Sequence, residues 1–259
     1  SIVRSGAKPI LVDSEINTFN IDVSKIEEKI STNTKAILVV HIYGFPSDMD
    51  AISSLCKKYN LFLIEDSAEM HGQTYNDKKC GSFGDISTFS FYPNKLITTG
   101  EGGMILTDNE NLNESCKKLR NLAFEPLKKR FIHYEMGWNY RMTNLQAALG
   151  LAQLENIDKH INRKREIGRI YNDYLKNTKL ISLMPETTSY SENIYWVYSI
   201  LLDDSFPGNA ELIMKKLKDQ GIATRPFFYP MNLQPVFNNM GLFTNESYPV
   251  AEKISNKGF

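Results

Sequence analysis

Short, continuous apolar runs alternate with polar, periodic segments through the first half of the chain. Ala36 to Val40, Leu61 to Ile64 and Met104 to Leu106 are such runs, and Ile86 to Phe91 is a strand-like run interrupted by Ser87, Thr88 and Ser90. They read as strands, and continuous rather than alternating hydrophobicity is what a strand covered on both faces requires. Between the first two, Asp48 to Tyr59 places Ile52, Leu55 and Cys56 on one side of a helix. Upstream, Pro9 to Val12 reads as a further strand and Val23 to Ile30 as a short helix. This strand–helix rhythm predicts an α/β fold with a largely parallel sheet covered by helices. In such sheets, ligands bind at the carboxyl ends of the strands.

The second half has a different texture. Met142 to about Tyr174 reads as long and helical, with Met142, Leu145, Leu149 and Ala152 on one apolar face and a Lys-, Arg- and Glu-rich solvated stretch thereafter. Val197 to Leu202 reads as a strand and Asn209 to Gln220 as a helix, which suggests a smaller α+β domain. The expected division is a large domain over residues 1–158, then a long helix and small domain over residues 159–259. Ser1 to Gly6 reads as a helix tail stopped by glycine, and Lys257-Gly258-Phe259 as a turn. The expectation is an interior piece of a longer protein, lacking an N-terminal part and the extreme C-terminal part.

Composition narrows the function classes. The 259 residues carry 30 Lys and Arg against 30 Asp and Glu, so there is no basic excess to neutralise nucleic-acid phosphates. Cys56, Cys80 and Cys116 are scattered. They form no disulfide framework and no metal-ligand spacing, and suit a reducing cytoplasm. No apolar stretch approaches the roughly 20 residues of a membrane span.

Candidate chemistry gathers at the predicted strand ends. The run Ile86 to Phe91 leads through Tyr92-Pro93-Asn94 to Lys95, and a loop with Gly100, Gly102 and Gly103 follows. Leu61 to Ile64 ends in Glu65-Asp66. One lysine and one aspartate so placed are what pyridoxal phosphate needs. The amine forms a Schiff base with the aldehyde, and the carboxylate keeps the pyridine nitrogen protonated. The competing readings are ordinary ones: a solvated lysine, and an aspartate capping the next helix. Flanking Phe89, Phe91 and Tyr92 argue against the first. Ser90 carries a hydroxyl suited to the cofactor phosphate, or one satisfied by local backbone. Glu69 reads as a loop residue or as a group against the cofactor ring, and His71 as structural.

Together these segments resemble the DegT/DnrJ/EryC1/StrS family. The resemblance is carried by Gly6 to Asp13, Thr18 to Asp22, Val40 to Gly44, Glu65 to Ala68, Phe89 to Gly103, Gly137 to Met142 and Gln146-Ala147-Ala148. It implies pyridoxal-phosphate-dependent aminotransferases acting on nucleotide-linked keto sugars, with the aspartate aminotransferase-like fold (fold type I). The large domain would hold a mixed, mostly parallel sheet. The resemblance implies that Lys95 is the Schiff-base lysine, Asp66 the partner of the pyridinium nitrogen, Ser90 a phosphate ligand and Glu69 a neighbour of the ring. It implies that Asn139 reaches the cofactor phosphate of the other subunit, hence a homodimer with shared active sites, with Arg141 beside that interface. Thr224 to Met231 resembles the branch that converts GDP-4-keto-6-deoxymannose to GDP-perosamine with L-glutamate as amino donor, for O-antigen and other surface polysaccharides. There Arg225, Tyr229 and Asn232 are the candidate substrate contacts, Asn232 departing from the histidine of many relatives. Other readings stay open: an aminotransferase on a dTDP- or UDP-linked keto sugar, and a non-catalytic regulatory or assembly protein of the same fold. A sugar dehydratase would carry histidine in place of Lys95, and a nicotinamide oxidoreductase would need a GxGxxG turn.

Overall fold

The structure, a computed structural model, describes residues 1–125 and 127–259. The chain folds as two compact units. One is formed by Lys35–Arg165 with Ser189–Trp196, the other by Ser1–Thr34, Glu166–Thr188 and Val197–Phe259. The boundary near residue 158 expected from the sequence and the end of the first segment, Arg165, both fall inside one long helix. The first 34 residues group with the C-terminal part.

The sheet unit runs β1 (Ala36–Val40), α1 (Met49–Tyr59), β2 (Phe62–Asp66), a two-rung hairpin of β3 (Thr74–Tyr75) and β4 (Lys78–Lys79), β5 (Ile86–Ser90), β6 (Gly103–Leu106), α2 (Glu110–Leu119), α3 (Asn144–Leu154) and the start of α4 (Ile157–Leu175). The sheet order is β1-β2-β5-β6. β1 pairs β2 in parallel, with Val40 opposite Asp66, and β2 pairs β5 in parallel, with Asp66 opposite Thr88. β6 returns antiparallel along β5. The sheet is therefore mixed but mostly parallel, and Asp66 and Ser90 sit at the carboxyl ends of neighbouring strands.

Local chemistry explains the elements. Asp48 starts α1 by accepting the Ala51 N–H at 3.1 Å, and Asn60 ends it in a left-handed conformation. Met49, Ile52 and Cys56 form the buried face of α1. α3 begins with a capping box, Thr143 and Gln146 each satisfying the other's backbone N–H.

Several sequence expectations are corrected. Pro9 to Val12 is not a strand. Pro9 offers no N–H to a ladder, and the segment leads to Asp13, whose carboxylate takes the N–H groups of Ser14, Val250 and Ala251. Val23 to Ile30 is two 3-10 turns, Val23–Lys25 and Glu27–Lys29, because the Asp22 carboxylate holds Ser24 by both amide and hydroxyl. The long helical stretch is two helices; Asn156 breaks it, its side chain bonding the Ala152 carbonyl at 2.9 Å. The strand expected from Val197 is shortened to Ile200–Leu202. Just upstream the chain is turned by Tyr195 (φ 48°), whose N–H bonds the Asn193 side chain.

The other unit contains β7 (Ile181–Leu183) paired antiparallel with β8 (Ile200–Leu202), then α5 (Ala210–Asp219), α6 (Pro235–Asn239) and α7 (Pro249–Lys257). Asp13 caps α7 through the Val250 and Ala251 amides, and Phe19 packs edge-on against Phe227 at 5.0 Å. These contacts explain why residues 1–34 belong with this unit.

Beneath the sheet ends lies a buried carboxylate. Glu65 is fully buried and accepts from His41 Nε2 at 3.0 Å, Ser67 Oγ at 3.1 Å, and the amides of Phe83 at 3.0 Å, Gly84 at 3.2 Å and Gly81. The His41 Nδ1 accepts the Ser47 N–H at 3.1 Å, so the ring proton lies on Nε2, toward Glu65. Burial works to raise the Glu65 pKa, but the hydrogen bonds from His41 and from the Gly81 and Phe83 amides outweigh it and hold it below the ordinary value. A lowered folded-state pKa stabilises the fold above the unfolded pKa, and that contribution is lost as pH falls through the folded one. Glu65→Gln places an amide NH2 among groups that all donate. It is expected to lower the unfolding free energy by about 2–4 kcal/mol, read from the denaturant midpoint at neutral pH. An unchanged midpoint would remove Glu65 from this role.

Candidate active site

The chain leaves β5 at Ser90 and turns through residues 91–95, closed by the Lys95 N–H on the Tyr92 carbonyl at 3.0 Å. The Gly-rich loop then folds back, with the Phe91 N–H on the Gly102 carbonyl at 2.9 Å and the Thr99 N–H on the Phe91 carbonyl at 3.0 Å. Gly102 has φ +149°, and a Cβ there would sit 2.6 Å from the Thr99 hydroxyl, so the position needs glycine. α3 holds this loop with two glutamines. Gln153 bonds the Thr98 amide at 3.1 Å and its carbonyl at 2.7 Å, and Gln146 donates to the Glu101 carbonyl at 2.9 Å.

The side chain of Lys95 is 11% exposed. Its Nζ lies 3.6 Å from Glu69 Oε1 and 4.2 Å from the centroid of the Trp196 ring. Glu69 Oε2 accepts the Tyr43 N–H at 2.9 Å. Burial pushes the Glu69 pKa up to about 7, assisted by the negative charge of Asp66. The Tyr43 amide and the positive Lys95 pull the other way without offsetting it. Asp66 shapes the turn after β2, accepting the Ala68 N–H at 3.1 Å. His71 is buried against Phe89 and Phe91, with ring centroids 5.5 and 5.8 Å away. Burial, and then the charge of Lys95, lower its pKa to about 4, so its imidazole is neutral.

The structure thus brings Lys95 and Glu69 into contact and sets Asp66 within electrostatic reach of Glu69. Ser90 lies at the end of β5, half-buried, its hydroxyl accepting the Tyr92 N–H at 3.3 Å. Asn139 is exposed, paired by an isolated bridge to Asn121, and Arg141 is exposed nearby. Arg225, Tyr229 and Asn232 belong to the other unit. Arg225 and Tyr229 are exposed; Asn232 is buried, its amide donating to Glu252 at 2.9 Å and to the Glu246 carbonyl at 3.4 Å.

The residues fit a pyridoxal phosphate site. A half-buried carboxylate stands at the end of β2 and a nearly buried amine in the turn that follows the adjacent strand β5. Beside them His71 keeps both ring nitrogens without a hydrogen-bond partner among the described residues, although buried polar atoms are rarely left so. Trp196 and the Tyr43 backbone are the parts that sequence reasoning missed. No spacing links positions 43, 95 and 196, and only the aromatic cluster Tyr195-Trp196 near a strand hinted at a packed site.

A family profile described as the DegT/DnrJ/EryC1/StrS aminotransferase family matches residues 1–259. A GDP-perosamine synthase of Escherichia coli O157:H7 is 43% identical over 258 residues, covering 100% of this chain and 68% of the relative. A GDP-perosamine synthase of Caulobacter vibrioides is 40% identical over 240 residues, covering 93% and 64%. Among solved structures, Helicobacter pylori PseC, an aminotransferase involved in the biosynthesis of pseudoaminic acid, superposes with a TM-score of 0.90 at 30% identity, over 99% of this chain and 68% of that one. A GDP-4-keto-6-deoxymannose-3-dehydratase with bound GDP-perosamine superposes with a TM-score of 0.86 at 25% identity, over 98% and 70%. The chain spans about two thirds of the length of these relatives.

The raised pKa of Glu69 has a measurable consequence in the cofactor-free protein. The folded state keeps a proton that the unfolded chain releases near 4.5, so the Glu69 contribution to stability falls as pH rises from about 4.5 to about 7. Carboxyl 13C NMR is expected to show one glutamate titrating near pH 7, absent in Glu69→Gln. If every glutamate carboxyl titrates below pH 5, the burial argument fails.

Proposed function

The chain belongs to the DegT/DnrJ/EryC1/StrS aminotransferase family, whose cofactor is pyridoxal phosphate and whose fold is fold type I. From that premise we propose that it transfers an amino group from L-glutamate to GDP-4-keto-6-deoxymannose, making GDP-perosamine for O-antigen or another surface polysaccharide. The observation that carries the reading is a nearly buried lysine in the turn after β5, in contact with Glu69, and a carboxylate, Asp66, at the carboxyl end of the adjacent strand β2 and within electrostatic reach of Glu69. The sugar is supported by the relatives named GDP-perosamine synthase, at 38–43% identity.

Bound pyridoxal phosphate supplies an aldehyde that takes up amines and a ring that accepts an electron pair. This chain's residues do the rest. Lys95 would hold the cofactor through its amine. Once displaced by the donor, it would move the proton at the donor's Cα as general base and return it as general acid. Asp66 would hold the proton on the pyridine nitrogen, Ser90 would bind the phosphate, and Glu69 would lie against the ring. Arg225, Tyr229 and Asn232 are the proposed sugar-nucleotide contacts. The site would be completed in a homodimer, with Asn139 reaching the partner's cofactor phosphate. Supporting this, the stretch of chain on either side of Asn139 leaves large apolar side chains open: Leu127 is 98% exposed, Met136 90% and Leu145 81%. We place the protein in the cytoplasm, in keeping with the free thiols of Cys56, Cys80 and Cys116. No helix among the described residues is long and apolar enough to cross a membrane.

Two outcomes test the reading. The purified protein is expected to show a visible absorbance band that L-glutamate abolishes, and Lys95→Ala to retain its fold with turnover below about 0.1% of wild type. A band that glutamate leaves unchanged rejects glutamate as donor, and an active Lys95→Ala enzyme rejects the lysine's role. For the shared site, unfolding and refolding a mixture of inactive Lys95→Ala and inactive Asn139→Ala chains should restore about a quarter of wild-type activity, because half of randomly paired dimers are hybrids with one intact site. No recovery would place each site within a single subunit.

A further inference from the structure

Trp196 meets the lysine turn twice. Its indole N–H donates to the Asn94 carbonyl at 3.1 Å, fixing the residue just before Lys95. Its ring face lies 4.2 Å from Lys95 Nζ. The indole is itself held firmly. Lys164 Nζ donates to the Trp196 carbonyl at 2.9 Å, and the Tyr43 ring stacks parallel to it, 6.2 Å between centroids with 7° between planes. The approach of this segment is built in. A Cβ on Gly44 would lie 2.9 Å from the Tyr195 nitrogen and run into the Asn193 side chain, while the Gly44 carbonyl takes the Ile194 N–H at 3.1 Å. Tyr43 thus braces both groups that touch Lys95 Nζ: its amide holds Glu69 and its ring backs Trp196.

We infer that Trp196 is a positioning residue for Lys95. Its ring face supports the amine end whenever Lys95 is not bonded to the cofactor, and its N–H aims the turn that carries it. The inference rests on the reading of Lys95 as the cofactor-bearing lysine. That reaction requires Lys95 to let go and come back in every cycle. An indole face attracts an ammonium group without consuming a directional hydrogen bond, so it parks the amine at the site. The ammonium must give up a proton before its nitrogen attacks, and the Glu69 carboxylate lies 3.6 Å away to take it. Holding the amine at the site makes re-attachment effectively unimolecular.

The test uses two probes on cofactor-free protein. Pyridoxamine phosphate has no aldehyde, so its affinity reports the pocket alone. Pyridoxal phosphate attaches when the Lys95 nitrogen bonds its aldehyde carbon with loss of water, and the rate is followed by stopped-flow absorbance. In Trp196→Leu, attachment is expected to slow by about tenfold, the scale of a desolvated cation–π contact. Pyridoxamine phosphate affinity should stay within about twofold, since the pocket itself is kept. Trp196→Phe, which keeps a weaker face and no N–H, should fall between. Attachment at the wild-type rate in Trp196→Leu overturns the inference. Equal losses for both probes also overturn it, because Trp196 is then a wall of the pocket. If Trp196→Leu does not fold, Trp196→Phe decides: slowed attachment with intact pyridoxamine phosphate binding supports the inference, and unchanged attachment overturns it. Wild-type protein that binds neither probe overturns the cofactor reading and this inference with it.

Discussion

A carboxylate sealed from water must be surrounded by donors or give up its charge, and Glu65 keeps its charge. Its donors come from the residue just after β1 (His41), from the turn after β2 (Ser67) and from the loop before β5 (Gly81, Phe83 and Gly84). One side chain therefore ties together the segments that set the spacing of the three parallel strands. Asp66 is the next residue on β2, and strand alternation sends its side chain to the face opposite Glu65. Satisfying Glu65 below the sheet fixes where Asp66 stands above it. The cluster is worth more as a determinant of register than as a source of net stability, because burying an ion costs most of what its hydrogen bonds return.

Burial pushes up the pKa values of two carboxyls four positions apart in the chain, with opposite outcomes. Glu65 has enough donors to remain ionised, with its pKa held down. Glu69 has one backbone donor and one lysine, and its pKa rises to about 7. The two acids are similarly buried, and what separates them is the number and placement of donors, with the negative charge of Asp66 adding to the rise at Glu69. That difference assigns them to different work: a fixed charge that organises the fold, and an adjustable one beside Lys95.

Much of this was legible in the chain. The strand carrying Asp66 follows an apolar run that ends where charged residues begin, and the strand carrying Ser90 runs from Ile86 toward the lysine turn, so strand ends and candidate chemistry lie close together in sequence. Gly102 announced a tight loop, and the structure shows the contact that demands it. What was hidden depends on pairings distant along the chain. Glu65 read only as the neighbour of Asp66, because its donors at positions 41 and 81–84 have no common spacing with it. Trp196 lies 102 positions from Asn94, and its role is invisible until Gly44 lets segment 193–196 pass close by. Pro9 to Val12 failed as a strand for a related reason. Its apolarity was visible, but the missing proline donor and the diversion of nearby amides to Asp13 are questions of hydrogen-bond supply.

The site's electrostatics follow from these placements. A cofactor bearing a phosphate is strongly anionic, and two ionised carboxylates beside a single lysine would repel it. With Glu69 near 7, the cofactor-free site can carry one negative charge fewer at neutral pH. Asp66 at the end of β2 and Lys95 in the turn after β5 then carry the opposite charges of the site. The proton on Glu69 is retained because Tyr43 supplies a single amide and not several. The backbone at Tyr43, left-handed at φ 59°, sets how far that amide reaches, just as it sets the plane of the ring behind Trp196. A single strained corner thereby adjusts both the charge and the contact that Lys95 meets, which is economical use of a conformation that a non-glycine residue adopts only at a cost.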